Sequence, residues 1–185
     1  HELYKTAFSI VVHDRLVTTD EMQEMVNLKD ALGLSDETVS KEVTELNRLR
    51  LIKRIKDGYL PKVNSSISIA SNETAHLEVP ARLVEKKILR SYTLNGVKHK
   101  EEGYVPVSDG KLCITSRMLI FRGGTTVNLP IEKMGNLIIA LEEQMLQVTK
   151  DGRVTPYSFQ LTDALLAGAI LETVHKQIRG TMKFA

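Results

Sequence analysis

The densest group of charged side chains lies in residues 82–100, RLVEKKILRSYTLNGVKHK. Arg82, Lys86, Lys87, Arg90, Lys98 and Lys100 face Glu85 alone there, so 6 − 1 gives +5. Cations at that density can hold phosphate groups or acidic protein segments. Strand alternation puts Lys86 opposite Lys87, so these charges do not all share one face. The preferred reading is an exposed strand edge guarded by lysine against edge-to-edge aggregation. If the cluster binds anything, Lys86, Lys87, Arg90, Lys98 and Lys100 are the residues that would hold an acidic partner.

A second basic run belongs to LGLSDETVSKEVTELNRLRLIKRIKDGYLP, residues 32–61. A turn, a helix and an Asp-Gly turn follow in the order of a winged-helix DNA reader, whose recognition helix precedes a β-wing. Residues 38–50 would be that helix, with Lys41, Arg48 and Arg50 as contacts, and Lys53, Arg54 and Lys56 would lie on the wing. Three features weigh against it. The preceding helix, from Thr18 to about Leu32, is longer than this motif needs. Glu42 and Glu45 would repel phosphates. Residues 1–64 carry 10 basic and 11 acidic side chains, so 10 − 11 gives −1 and no basic footprint. A helical hairpin with a solvated charged face is preferred, and nucleic-acid binding through Lys41, Arg48, Arg50, Lys53 and Arg54 is the leading alternative.

Catalytic and metal motifs are sparse. The five histidines, His1, His13, His76, His99 and His175, have no metal-binding spacing among them. HDRLVTTDE at 13–21 lacks the ligand spacing of a calcium loop. RGGTTV at 122–127 lacks the lysine of a phosphate-binding loop and reads as a hairpin turn. Cys113 is the only cysteine, which excludes an internal disulfide and a thiolate zinc cluster. Its apolar neighbours make it a buried, inert thiol. The expectation is a protein that is not an enzyme and uses no cofactor or metal.

The elements that position these residues have two periodicities. The 185 residues are 42% hydrophobic and 26% charged with a net charge of +2, ordinary for globular protein and too weak to recruit an anionic partner over long range. In residues 1–61, Leu3, Ala7, Ile10 and Val11 share a helical face. Thr18 and Glu21 form a capping box before a second helix with Met22, Met25, Val26 and Leu32 on its apolar side, ended by Gly33. Ser35 is positioned to cap a third helix with a stripe of Val39, Val43, Leu46 and Leu49, continued to about Ile52. Asp57-Gly58 then turns the chain. Residues 62–72, KVNSSISIASN, are polar and serine-rich and read as the connection to a second domain, 73–185.

That second domain alternates with period two. DGKLCITSRMLIFRGGTTVNL reads as an Asp-Gly turn, a strand, a second strand over Met118–Arg122, a Gly-Gly turn and a third strand. Asp151-Gly152 marks a later hairpin, and Pro156 implies an edge strand or a bulge. Thr162 can cap a last helix with Leu165, Leu166, Ala169, Ile170, Val174 and Ile178 on one stripe. The fold class is therefore α+β: an N-terminal helical segment, then an antiparallel sheet or barrel capped by a C-terminal helix.

GKLCITSRMLIFRGG followed by VNLPIEKMGNL resembles the core of the bacterial GRAM and pleckstrin-homology-like domains. Gly110, Ile114, Thr115, Arg117, Phe121, Gly123 and Ile131 stand at that pattern's positions, although ITSRM makes a tighter link than the pattern has. DRLVTTDEMQEMVNLKDALGLS with GYLP resembles the helical segment of the tellurite-resistance TerB-like proteins. The resemblance implies a fold that binds protein or lipid and no catalysis. The leading expectation is a cytoplasmic adaptor holding a protein partner, with homo-oligomers through exposed sheet edges. DNA binding and contact of residues 82–100 with an anionic membrane surface are the alternatives. No run is long enough to span a membrane as a helix and no signal peptide opens the chain. The start at His1, without Met, reads as a piece of a longer protein.

Overall fold

The computed structural model describes residues 1–180, which divide at Tyr59/Leu60 into two units. The first holds three helices: α1 (Glu2–Val11), α2 (Thr19–Ala31) and α3 (Ser40–Lys56). α1 buries Tyr4 and half-buries Ala7, Phe8 and Val11, whereas Leu3 and Ile10 are 60% and 71% exposed. The buried face is turned by one residue from the expected one, because Tyr4 and Phe8 bring larger ring area to it. At α2 the capping box is present: Thr18 Oγ1 accepts from Glu21 N at 3.2 Å and Glu21 Oε2 accepts from Thr18 N at 2.8 Å. Gly33, at φ +61°, ends the helix as Gly33 N donates to Asp30 O and Leu34 N to Lys29 O.

α3 starts five residues later than its expected cap. Ser35 instead closes a local turn, its Oγ accepting from Thr38 N at 3.3 Å. Val39, Leu46, Leu49, Ile52 and Ile55 are buried. Asp57-Gly58 ends the helix, with Gly58 N donating to Ile55 O and Tyr59 N to Arg54 O. No strand is present before Ala75, so Lys53, Arg54 and Lys56 lie in the last turns of α3 and not on a β-wing.

The second unit is a seven-stranded antiparallel sheet curled into a half-barrel, with one α-helix among its described residues, so the chain is α+β. Its strands are β1 (Ala75–Leu94), β2 (Val97–Thr115), β3 (Met118–Gly123), β4 (Thr126–Pro130), β5 (Met134–Ala140), β6 (Met145–Lys150) and β7 (Tyr157–Leu161). Their order across the sheet is β4-β3-β2-β1-β7-β6-β5. β1 and β2 are joined by Asn95-Gly96, both left-handed at φ 49° and 77°, the conformation a tight two-residue hairpin turn requires. Asp109-Gly110, expected to be a turn, lies inside β2. Glycine is needed there for another reason: Gly110 pairs with Gly123 of β3, and a Cβ on it would stand 2.1 Å from Arg122 O.

Asp151-Gly152 does turn the chain between β6 and β7. Pro156 precedes β7, an interior strand between β1 and β6, so the expected edge strand is not found. The proline sits just ahead of the ladder, where no donor is required. The final helix, α4 (Ala164–Ile178), is capped by Asp163 rather than Thr162, since Asp163 Oδ1 accepts from Leu166 N at 2.9 Å. Along its stripe Ala169, Ile170 and Val174 are buried, Leu165 and Leu166 half-buried, and Ile178 is exposed. α4 packs on β5 and β6, where Gly168 lets Ile139 and Leu146 approach its backbone. Beneath it lie Leu83, Leu146 and Phe159, with the Phe159 and Phe121 rings 5.6 Å apart. Residues 181–185, the end of the expected second domain, lie outside the described residues.

Residues 62–72 have no regular secondary structure and belong to the sheet unit. Ile67 is buried with Ala75, Cys113 and Ile120. Ser65 Oγ and Ser66 N each donate to Glu78 Oε2 at 2.7 Å, and Lys111 Nζ lies 3.2 Å from Glu78 Oε1. The donors, Ser66 Oγ foremost, hold the Glu78 carboxyl at about 2, well below its ordinary value near 4.5. Depressed in the folded state, this group stabilises the fold above about pH 4.5, and that contribution is lost as pH falls toward about 2.

Two expected outcomes follow from this packing. Gly110→Ala destabilises the sheet by about 2–3 kcal/mol in urea denaturation, because backbone must move to admit the methyl group. Glu78→Gln lowers the melting temperature at pH 7, and its difference from the parent chain shrinks between about pH 4.5 and pH 2.

Candidate functional site: the β1–β2 ribbon

β1 pairs with β7 only over Ala81–Val84, and β2 with β3 only over Gly110–Ile114. Between these limits and the Asn95-Gly96 turn the two strands, among the described residues, pair only with each other. Ten residues of β1 lie beyond Val84, so the ribbon is about 33 Å long at about 3.3 Å per residue. Every residue from Glu85 to Glu102 is exposed.

Cross-strand contacts hold the ribbon together. The Tyr92 and His99 rings stack at 5.4 Å, and Lys86 Nζ lies 2.6 Å from Glu102 Oε2. That pairing raises the Lys86 pKa and lowers that of Glu102. The register shifts between Ile88 and Arg90, a bulge that lays Leu89 over Gly103, where a Cβ would stand 2.4 Å from Leu89 Cδ1. At the root, Gln147 Nε2 on β6 donates to Tyr104 Oη at 2.6 Å and to Ser158 Oγ at 3.2 Å.

Register sorts the side chains onto two faces. Glu85↔Val105, Lys87↔Gly103, Arg90↔Glu101, Tyr92↔His99 and Leu94↔Val97 share one face with the bulged Leu89. It continues the side of β1 that carries the buried Leu83 opposite Phe159, so it extends the core-facing side of the sheet. Leu89, Tyr92, Leu94 and Val97 on it are 58%, 45%, 57% and 59% exposed. Its charges balance: Lys87 and Arg90 against Glu85 and Glu101, 2 − 2. Lys86↔Tyr104, Ile88↔Glu102, Ser91↔Lys100 and Thr93↔Lys98 share the second face, where Lys86, Lys98 and Lys100 against Glu102 give 3 − 1, or +2.

All five expected partner-binding residues, Lys86, Lys87, Arg90, Lys98 and Lys100, thus lie on the ribbon, three on one face and two on the other. Arg82 lies at its root, its Nε 2.6 Å from Asp109 Oδ1. β2 brings in Glu101 and Glu102, so residues 82–102 total 6 − 3, or +3, and part of the local excess of +5 is offset. The apolar residues on the first face escaped the sequence reading. Asn95-Gly96 was the signal that could have placed them on one hairpin, though not their exposure.

The alternative set lies on α3, in the other unit. Lys41 is exposed, Arg48 Nη1 lies 2.7 Å from Glu45 Oε1, and Arg50 has its Nε buried. Lys53 lies 2.6 Å from Asp57 Oδ2, and Arg54 stacks over the Tyr59 ring at 4.2 Å. His76 is buried, its Nδ1 2.7 Å from Pro61 O, and burial lowers its pKa. Burial likewise pushes the Cys113 thiol up, away from the reactive thiolate. Among the described residues no three His, Cys, Asp or Glu side chains are grouped to hold a metal ion, and no helix is long and apolar enough to cross a membrane.

Comparison with models of known protein families found no match, and comparison with curated proteins found none.

Proposed function

We propose that this chain is a non-enzymatic protein-interaction module of the cytoplasm whose contact element is the β1–β2 ribbon. The observation that carries this reading is the unbroken exposure of Glu85–Glu102 together with four large apolar side chains on one face, Leu89, Tyr92, Leu94 and Val97. A two-stranded ribbon is marginally stable alone in water, and contiguous exposed apolar surface marks a docking site. The resemblance to GRAM and pleckstrin-homology-like domains supports the same reading, since those domains bind partners. The acids interleaved along the ribbon argue against a phosphate-rich partner. A second reading, contact with an anionic membrane surface, draws support from the +2 charge of the face with Lys86, Lys98 and Lys100. Recognition of DNA by α3 draws less, because no wing follows that helix.

Val84 and Pro106 are register partners, so an Asn-Gly turn between them can replace residues 85–105 while keeping the sheet. The full chain is expected to recover a protein partner at least about tenfold better than this shortened chain, and to bind it again when both are purified. Equal recovery by both chains, or turnover of a substrate by the pure protein, contradicts the reading. Ribbon-dependent sedimentation with anionic vesicles favours the membrane alternative.

A further inference from the structure

We infer that residues 62–72 form a releasable strap, latched by Glu78 to the face of the sheet opposite α4, and that its opening bares Cys113 while the sheet stays folded. The inference goes beyond the reading of the ribbon and does not rest on it.

Three observations carry it. First, Glu78 and Cys113 are register partners on β1 and β2, so their side chains share one face. Cys113 is nonetheless fully buried there, in a cluster with Ile67 and Ile69 of the strap and Ala75, Met118 and Ile120 of the strands. Ser65 Oγ lies 3.7 Å from Cys113 Sγ. The strap is therefore the cover over this thiol.

Second, the strap's own hold is slight. Ile67 is buried, Ser65 and Ile69 are half-buried, and the rest of the segment is exposed. It has no regular secondary structure, and Val63 N donates to Ala75 O at 2.9 Å as its backbone tie to the strands. Third, its other attachments converge on one carboxylate. Ser65 Oγ, Ser66 Oγ, Ser66 N and Ile67 N all donate to Glu78, and Lys111 Nζ, 2.8 Å from Ser66 Oγ, braces them. The strand ladder uses the backbone of Glu78 and not its carboxylate, so the strap can leave without unpairing β1 from β2. A segment with few buried apolar contacts and one shared anchor opens as a unit, more readily than the sheet unfolds. Ser66 is exposed, so a negative charge placed on its hydroxyl meets Glu78 directly, and like-charge repulsion releases the latch. Release frees residues 62–72 of the chain that joins α3 to β1.

Labelling of Cys113 in the full chain by the aromatic disulfide dithiobis(nitrobenzoate), in urea below the unfolding transition, tests it. Each thiolate displaces one thionitrobenzoate and forms a mixed disulfide. The expected rate depends weakly on urea, far less steeply than global unfolding followed by circular dichroism, because a short segment exposes little surface. Glu78→Gln and Ser66→Glu each raise the rate at least about tenfold, the first by weakening hydrogen bonds to a charged group and the second by setting a carboxylate beside it. Val174→Ala in α4, on the other face, lowers global stability and leaves the rate unchanged. Labelling as steep in urea as global unfolding overturns the inference, and the parent chain alone decides that point should a variant fail to fold. A rate indifferent to both Glu78 and Ser66 overturns it as well.

Discussion

The pairing of β1 with β2 is the constraint on which the rest of the sheet unit depends. It is the longest ladder in the molecule, from Ala75 opposite Thr115 to Leu94 opposite Val97, and its neighbours on either side are far shorter. Near the root the hairpin is the middle of the sheet, and its side chains are buried on both faces. Leu112 and Leu83 lie on the α4 side, and Cys113 and Ala75 lie under the segment tied down by Glu78. Farther out the same hairpin pairs with no other strand among the described residues, and its side chains are exposed. One element therefore supplies both the scaffold and its most exposed surface. The change comes where β7 ends, opposite Val84, and not at any break in β1 itself.

This explains why charge alone misleads. Counted along the chain, residues 82–100 form a basic block. Folded, the block crosses the turn of a hairpin, with Lys98 and Lys100 on the same strand as Glu101 and Glu102, and one of its cations, Lys86, lies beside Glu102. What distinguishes the surface is apolar area on one face and a modest positive excess on the other. On such a surface hydrophobic contact would supply most of any affinity, and charge would decide which partners and which face are excluded.

Local signals were legible where a single residue type has one physical use. Thr18 and Glu21 announced a helix start, Gly33 a helix end, and the period-two apolar pattern a sheet closed by one helix. Signals with two uses misled. Asp109-Gly110 has the composition of a turn, yet Gly110 is small because the backbone of Arg122 leaves no room for a methyl group. Pro156 reads as an edge marker, yet a proline immediately before a strand removes no ladder bond. Leu3 and Ile10 fit a helical stripe as well as Tyr4 and Phe8 do, and only packing decides between them. The ribbon was illegible as a site because its apolar residues alternate as those of any buried strand. That β7 stops at Val84 is a property of the sheet and leaves no mark within residues 85–105.

The central claim, that the ribbon's exposed face is a protein contact, is tested most directly by hydrogen exchange resolved along the chain, alone and with a partner protein recovered through the ribbon. Exchange at Glu85–Glu102 is predicted to slow by about tenfold when that partner is bound, while Gly110–Ile114, already inside the sheet, stays unchanged. Ribbon exchange that is equally fast with and without the partner would contradict the account.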